Sequence, residues 1–200
     1  MTDLFEEKAK DWDVNDRVLA LSRGVGAALL ANVEFKPDMS VMDFGAGTGL
    51  LASHVAPRVA QITAVDISES MLEKLTAKTE LQGKVKPLCR DILSDPVGER
   101  YDVIISAMAM HHIEDTDRLL RTFAFHLKPG GRVALADLDK EDGTFHPADV
   151  QGVFHHGFER NPLQQKLEAA GFCDVDFVTA HTVRGEEKDY PVFLATASLK

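Results

Sequence analysis

The sequence predicts an α/β fold built on a mostly parallel β-sheet, and three observations carry that prediction. Apolar runs of strand length alternate with amphipathic stretches of helix length along most of the chain. The run VMDFGAGTGLL, Val41 to Leu51, leaves a buried strand through three glycines within five positions. The last two strand-like runs are joined by too few residues for a parallel return, which takes a dozen or more, so they pair antiparallel.

Taken in chain order, Val18, Leu21, Val25, Ala28 and Leu29 recur at helical spacing and predict an amphipathic helix packed on the sheet of the first strand. After the glycines a short helix runs from Leu50 to Ala56 and stops before Pro57, and QITAVDI, Gln61 to Ile67, reads as a second buried strand. Ser68 is a good N-cap for a helix that aligns Met71, Leu72 and Leu75 and ends at Gly83. VKPLCR, Val85 to Arg90, and YDVIISAM, Tyr101 to Met108, follow as strands suited to a sheet covered on both faces. Asp115 or Thr116 caps a helix carrying Leu119, Leu120, Phe123 and Leu127, which KPGG terminates before the strand RVALADL, Arg132 to Leu138. A helix from Pro162 to Ala170 then leads to CDVDFVTAHTV and PVFLATASL, joined across RGEEKDY. The least regular stretch is 140–160.

Two hundred residues at 44% hydrophobic content suit one domain spanning 1–200. With 22 Lys and Arg against 32 Asp and Glu, the charge of −10 repels phosphate backbones and acidic membranes, so no nucleic-acid or membrane partner is expected. No run approaches the roughly 20 apolar residues of a membrane span, and the acidic start MTDLFEEKAKDWD does not read as a leader; the expected location is cytoplasmic. Cys89 and Cys173 are far apart without metal-ligand spacing and are expected to be buried thiols. Oligomeric state leaves no signal.

Glycine in a regular element costs about 0.5 to 1 kcal/mol relative to alanine, so the cluster at Gly45, Gly47 and Gly49 asks for a positional reason. In open parallel sheets the ligand crevice lies beyond the carboxyl ends of the strands. Gly45 and Gly47 let main chain approach a ligand there, and the next helix turns unpaired N–H groups toward the same space. Asp66, 21 positions after Gly45, ends the second strand where a carboxylate can accept both ribose hydroxyls. Together these indicate a nucleoside. The dinucleotide fingerprint asks for glycine at position 50, where Leu50 stands, which weakens NAD; no Lys followed by Ser or Thr supports a triphosphate loop.

VMDFGAGTG, AVDIS, CRDI, YDVIISAMAMHHIED and LKPGGRVALAD, in that order and spacing, resemble the successive motifs of class I S-adenosylmethionine-dependent methyltransferases, from Val41 to Asp137. The resemblance implies a Rossmann-like three-layer sandwich with a seven-stranded sheet ordered 3-2-1-4-5-7-6, strand 7 antiparallel, and S-adenosylmethionine as cofactor. It places Asp43, Gly45, Ala46 and Gly47 along the methionine portion, with Asp43 near the ammonium. Asp66 would hold the ribose, Ile67 cover adenine, and Asp91 meet its exocyclic amine, with Ile92 adding an apolar or backbone contact. Ser106 and Ala107 would form the floor near the sulfonium. Each acid has a plainer reading: Asp66 or Asp91 as a cap, Asp43 as a partner for the loop's own N–H groups.

Methyl transfer is an in-line displacement that mainly needs alignment and exclusion of water. His111 or His112, just after the fourth strand, is the candidate base; the alternative is packing against the following helix or lining the pocket. His146, His155 and His156 lack recognisable metal-ligand spacing, so no metal is expected. The resemblance implies that 140–160, after the fifth strand, is an acceptor-side insertion, and Phe145, Phe154 and Phe158 make it either an apolar lid or ordinary core. Residues 1–35 form an N-terminal helical segment in which Leu4, Phe5, Ala9 and Trp12 serve as lid or anchor. The expected acceptor is a small, partly apolar organic molecule, the resemblance including enzymes of quinone biosynthesis. A cofactor-binding module without transfer activity, a protein methyltransferase attracting a basic partner, and an NAD-dependent reductase are the alternatives.

Overall fold

The computed structural model describes residues 6–147 and 150–200; Leu4 and Phe5 lie outside the described residues. Seven strands form one sheet in the order β3-β2-β1-β4-β5-β7-β6. They are β1 Ser40–Phe44, β2 Gln61–Asp66, β3 Val85–Cys89, β4 Tyr101–Ala107, β5 Leu127–Leu138, β6 Phe172–Arg184 and β7 Asp189–Leu199. Strand β1 pairs parallel with β2 and β4, β2 with β3 and β4 with β5, while β7 runs antiparallel between β5 and β6. The expected order and the antiparallel seventh strand are both present.

Among the described residues six helices cover the two faces: α1 Glu6–Ala9, α2 Asp16–Asn32, α3 Leu50–Val55, α4 Glu69–Thr76, α5 Thr116–His126 and α6 Arg160–Ala169. Alternation along the strands divides the core. Val41, Val103, Ile105, Ala134 and Ala136 pack beneath α2, α3 and α4, whereas Met42, Ile104, Val133 and Leu135 pack beneath α5 and α6. The caps follow the sequence: Ser68 Oγ accepts from Met71 N, and Asp115 Oδ1 from Arg118 N at 2.8 Å.

Helix α2 packs on the sheet of the first strand as expected, over β6 and β7 and against α3, where Ser22 Oγ meets His54 Nε2 at 3.2 Å. Several local expectations change. Helix α4 ends at Thr76, well short of Gly83, and passes into a 3₁₀ turn at Thr79–Leu81. A second 3₁₀ turn, Ala56–Arg58, accommodates Pro57 at the end of α3. KPGG falls within β5, since Leu127 already has extended backbone.

Strand β3 is not covered on both faces, and the two cysteines are not buried thiols: Cys89 is exposed and Cys173 intermediate. The cause is topological. Strands β3 and β6 are the two edges of the sheet, which leaves these side chains partly in solvent and on opposite sides of the molecule.

Gly49 makes the turn into α3 with φ +80, and a Cβ there would come within 2.9 Å of Leu75 and Leu81 side-chain carbons. Gly49→Ala should therefore lower stability by about 2 to 4 kcal/mol, through left-handed strain plus overpacking. Urea unfolding monitored by circular dichroism checks this; a change within experimental error would remove the packing argument.

Candidate functional site

The carboxyl ends of β1, β2, β4 and β5 converge on one edge, which assembles most of the expected residues. The loop after β1 is shaped by the end of β2: Gly45 N and Ala46 N donate to the Val65 carbonyl at 2.9 and 3.1 Å, and Gly47 N donates to Asp66 Oδ2 at 2.7 Å. Gly47 has φ +54, and a Cβ built on it meets nothing within 4 Å, so bare main chain borders open space. Asp66 also accepts from Ser68 N at 2.9 Å, so one carboxylate supports both the glycine loop and the turn into α4.

Asp43 is buried on the α3 side of β1, with Ala52 N as a backbone partner and no hydrogen-bond partner for Oδ2 among the described residues. Burial first, and the nearby Asp66 charge second, push its pKa up to about 8. A buried carboxyl oxygen without a partner, beside open main chain, fits a cationic ligand group. Ile67 is 62% exposed immediately after β2.

Asp91 and Ile92 take the plainer of the roles their sequence allows. Asp91 caps a tight turn, accepting from Leu93 N at 3.0 Å and Ser94 Oγ at 2.8 Å. That turn drives Ile92 into the core with no exposed surface, so its side chain offers no apolar contact to a ligand and only its backbone remains available. Ser106, also buried, donates its hydroxyl to the Phe44 carbonyl at 2.8 Å and ties β4 to β1; Ala107 follows at the edge, partly buried.

Beyond β4, Met110–His112 forms a 3₁₀ turn whose preceding Ala109 sits against Gly45. His111 is buried and bonds Asp137, at the end of β5, at 2.8 Å through Nδ1. His112 Nδ1 donates to the Gly152 carbonyl at 2.7 Å; burial, then His111, pushes its pKa down to about 4. His146 completes the group, its ring 5.1 Å from His111 and 6.0 Å from His112. The three aromatics of 140–160 divide: Phe158 is core, Phe145 packs partly buried near His146, and Phe154 is 52% exposed. His155 and His156 lie apart from this group, His155 Nε2 donating to the Ile113 carbonyl and His156 facing Glu141. Among the described residues no set of three or more His, Cys, Asp or Glu side chains is arranged to hold a metal ion, and no helix is long and apolar enough to cross a membrane.

Sequence reasoning passed over Asp137 and Asp13. Asp137 carried a usable signal, an acid at the carboxyl end of a parallel strand. Asp13, in the 3₁₀ turn Trp12–Val14, carried none; it accepts from Thr48 Oγ1 at 2.6 Å and pairs with Lys78 at 2.9 Å, pinning the N-terminal segment to the glycine loop.

A methyltransferase-domain family matches residues 17–186. A malonyl-[acyl-carrier protein] O-methyltransferase of Methylococcus capsulatus is 30% identical over 190 residues, covering 90% of this chain and 68% of that protein. An uncharacterized methyltransferase of Schizosaccharomyces pombe is 34% identical over 138 residues, 61% of this chain; the match spans about half, 49%, of that longer protein. An N-methyltransferase of Bradyrhizobium japonicum, solved with S-adenosyl-L-homocysteine, superposes with a TM-score of 0.72 over 99% of both chains at 15% identity, a likeness of fold. With the strand order already established, the chain belongs to the methyltransferase-domain family and has the fold of its class I, S-adenosylmethionine-dependent members.

Proposed function

We propose that this chain moves a methyl group from S-adenosylmethionine to a small, partly apolar organic acceptor and releases S-adenosylhomocysteine. One pair of observations carries the reading: at the end of β1, Asp43 Oδ2 is buried with no hydrogen-bond partner among the described residues, and the loop that follows borders open space at Gly47. A ligand with a cationic amine on a slender chain satisfies both. Asp66 suits the ribose hydroxyls, exposed Ile67 suits one adenine face, and the turn at Asp91 and Ile92 offers backbone groups to the base edge. When bound there, the cofactor supplies an electrophilic methyl on a sulfonium.

The chain's own residues would do the rest. Ser106 and Ala107 floor the crevice, and the cluster of His111, His112 and His146 stands beside it to receive a proton from an acceptor hydroxyl or amine. The described residues of 140–160 cover the acceptor side, with exposed Phe154 providing apolar surface, and residues 6–35, pinned through Asp13, cover the cofactor side. The relative named as a malonyl-[acyl-carrier protein] O-methyltransferase supports an organic acceptor.

Incubation of the protein with methyl-labelled S-adenosylmethionine and a metabolite extract should move label into a small organic component. Cofactor binding without transfer to any component would instead make the chain a binding module.

Asp66→Ala should weaken S-adenosylhomocysteine binding by about 1 to 3 kcal/mol, the worth of charge-assisted hydrogen bonds. Unchanged affinity by calorimetry would remove the ribose role.

Binding should also release protons. Asp43 is protonated in the free protein below about pH 8 and ionises when an ammonium reaches it, so about one proton leaves at pH 7. Affinity then rises with pH up to about 8 and levels off, because above that pH the free protein has already lost the proton. Calorimetry in buffers of different ionisation enthalpy measures the release, which Asp43→Asn should abolish.

A further inference from the structure

The histidines after β4 are ordered by a buried carboxylate. Asp137 has no exposed surface; Oδ1 accepts from Leu138 N and from His111 Nδ1, both at 2.8 Å, and Oδ2 accepts from His111 N at 3.2 Å. A carboxylate only accepts, so the His111 proton sits on Nδ1 and its Nε2 lone pair is turned outward. That lone pair meets His146 Nε2 at 3.2 Å. The contact needs one donor, which places the His146 proton on Nε2 and leaves an unshared pair on His146 Nδ1, which has no hydrogen-bond partner among the described residues.

We infer that His146 is the catalytic proton acceptor for the incoming nucleophile, and that His111 and Asp137 are positioning residues that set its tautomer and take up its proton. The inference rests on the methyl-transfer reading and names the group that serves it. As the acceptor oxygen or nitrogen bonds the methyl carbon and the carbon–sulfur bond breaks, the acceptor's X–H bond breaks toward His146 Nδ1. His146 Nε2–H passes its proton to His111 Nε2. The charge that left the sulfonium thus ends on a His111 imidazolium held against the Asp137 carboxylate. Reversal of the two hydrogen bonds returns the proton to solvent through His146 after product leaves.

The alternative within the cluster, His112, is held differently: its Nδ1 donates to the Gly152 carbonyl at 2.7 Å, an uncharged acceptor, where His111 has the Asp137 carboxylate. His146 is neutral at pH 7 because burial, then His111, His112 and Lys8 of α1, push its pKa down to about 4 against the opposing pull of Asp137. Its lone pair is therefore available before the acceptor arrives.

Long-range nitrogen–proton NMR on the full chain labelled with nitrogen-15 reads the tautomers without any acceptor. His146 should show a protonated Nε2 and an unprotonated Nδ1, His111 the reverse, and Asp137→Asn should erase the fixed pattern of both rings. A His146 proton on Nδ1 overturns the relay. If the Asp137→Asn variant does not fold, His146→Gln decides in its place: His111 should keep its Nδ1 proton but lose the shift caused by a donor at Nε2, and an unmoved His111 spectrum overturns the contact.

With whichever acceptor takes label in the extract, His146→Ala should lower kcat about 100-fold at unchanged cofactor Kd. Added imidazole should restore part of the rate, which a merely structural role would not allow. Full turnover, or a larger and imidazole-rescued loss in His112→Ala, overturns the assignment. Failure of every acceptor to take label counts against methyl transfer itself, and the nitrogen spectra still decide the His146 tautomer.

Discussion

The hydrogen bonds from the end of β2 to the glycine loop are the constraint on which the rest of the site depends. The Val65 carbonyl accepts from both Gly45 N and Ala46 N, and Asp66 takes Gly47 N. These bonds satisfy the loop's donors from one side only, so the opposite side of the main chain stays open to the crevice. Because β1 and β2 are adjacent parallel strands, the same pairing that builds the sheet delivers the Asp66 carboxylate to the loop. Fold and site are thus secured by one set of contacts.

Asp43 is a carboxyl that the sheet holds where ionisation is opposed. Strand alternation sends it beneath α3, where burial and the neighbouring Asp66 both oppose ionisation. A hydrophobic residue would pack there without that penalty, and the core around it is otherwise apolar. In the proposed reading, a cationic group that reached this carboxyl would reverse the balance and let it ionise.

On the far side of the crevice the irregular segment 140–160 is stitched back to the sheet at several points. Phe154 N and His155 N donate to the His111 carbonyl, His112 donates to Gly152, and Glu141 Oε2 accepts from Gly143, Thr144 and Phe145 N. Arg160 clamps Asp139 through two bonds of 2.8 and 2.7 Å where the segment ends. The described residues of this largely irregular segment are held in register this way, which brings His146 against His111.

The sequence by itself determined the architecture and the cofactor side. Strand-length apolar runs, the Ser68 and Asp115 caps and the short connection before β7 are local or nearly local features, and the glycine loop with Asp66 depends on one strand-to-strand spacing. Those signals survive in one dimension because backbone geometry imposes them. Tertiary structure alone decided which side chains are spent on the scaffold and which face the crevice. Ile92 turned inward because Asp91 caps a tight turn, Cys89 and Cys173 reached solvent because β3 and β6 are edges, and Asp13 reached Thr48 across 35 positions. The pairing of His111 with Asp137 and then with His146 likewise joins three separate segments. Contacts of that range follow from how β4, β5 and the long loop come together in space, and residue spacing along the chain does not encode them.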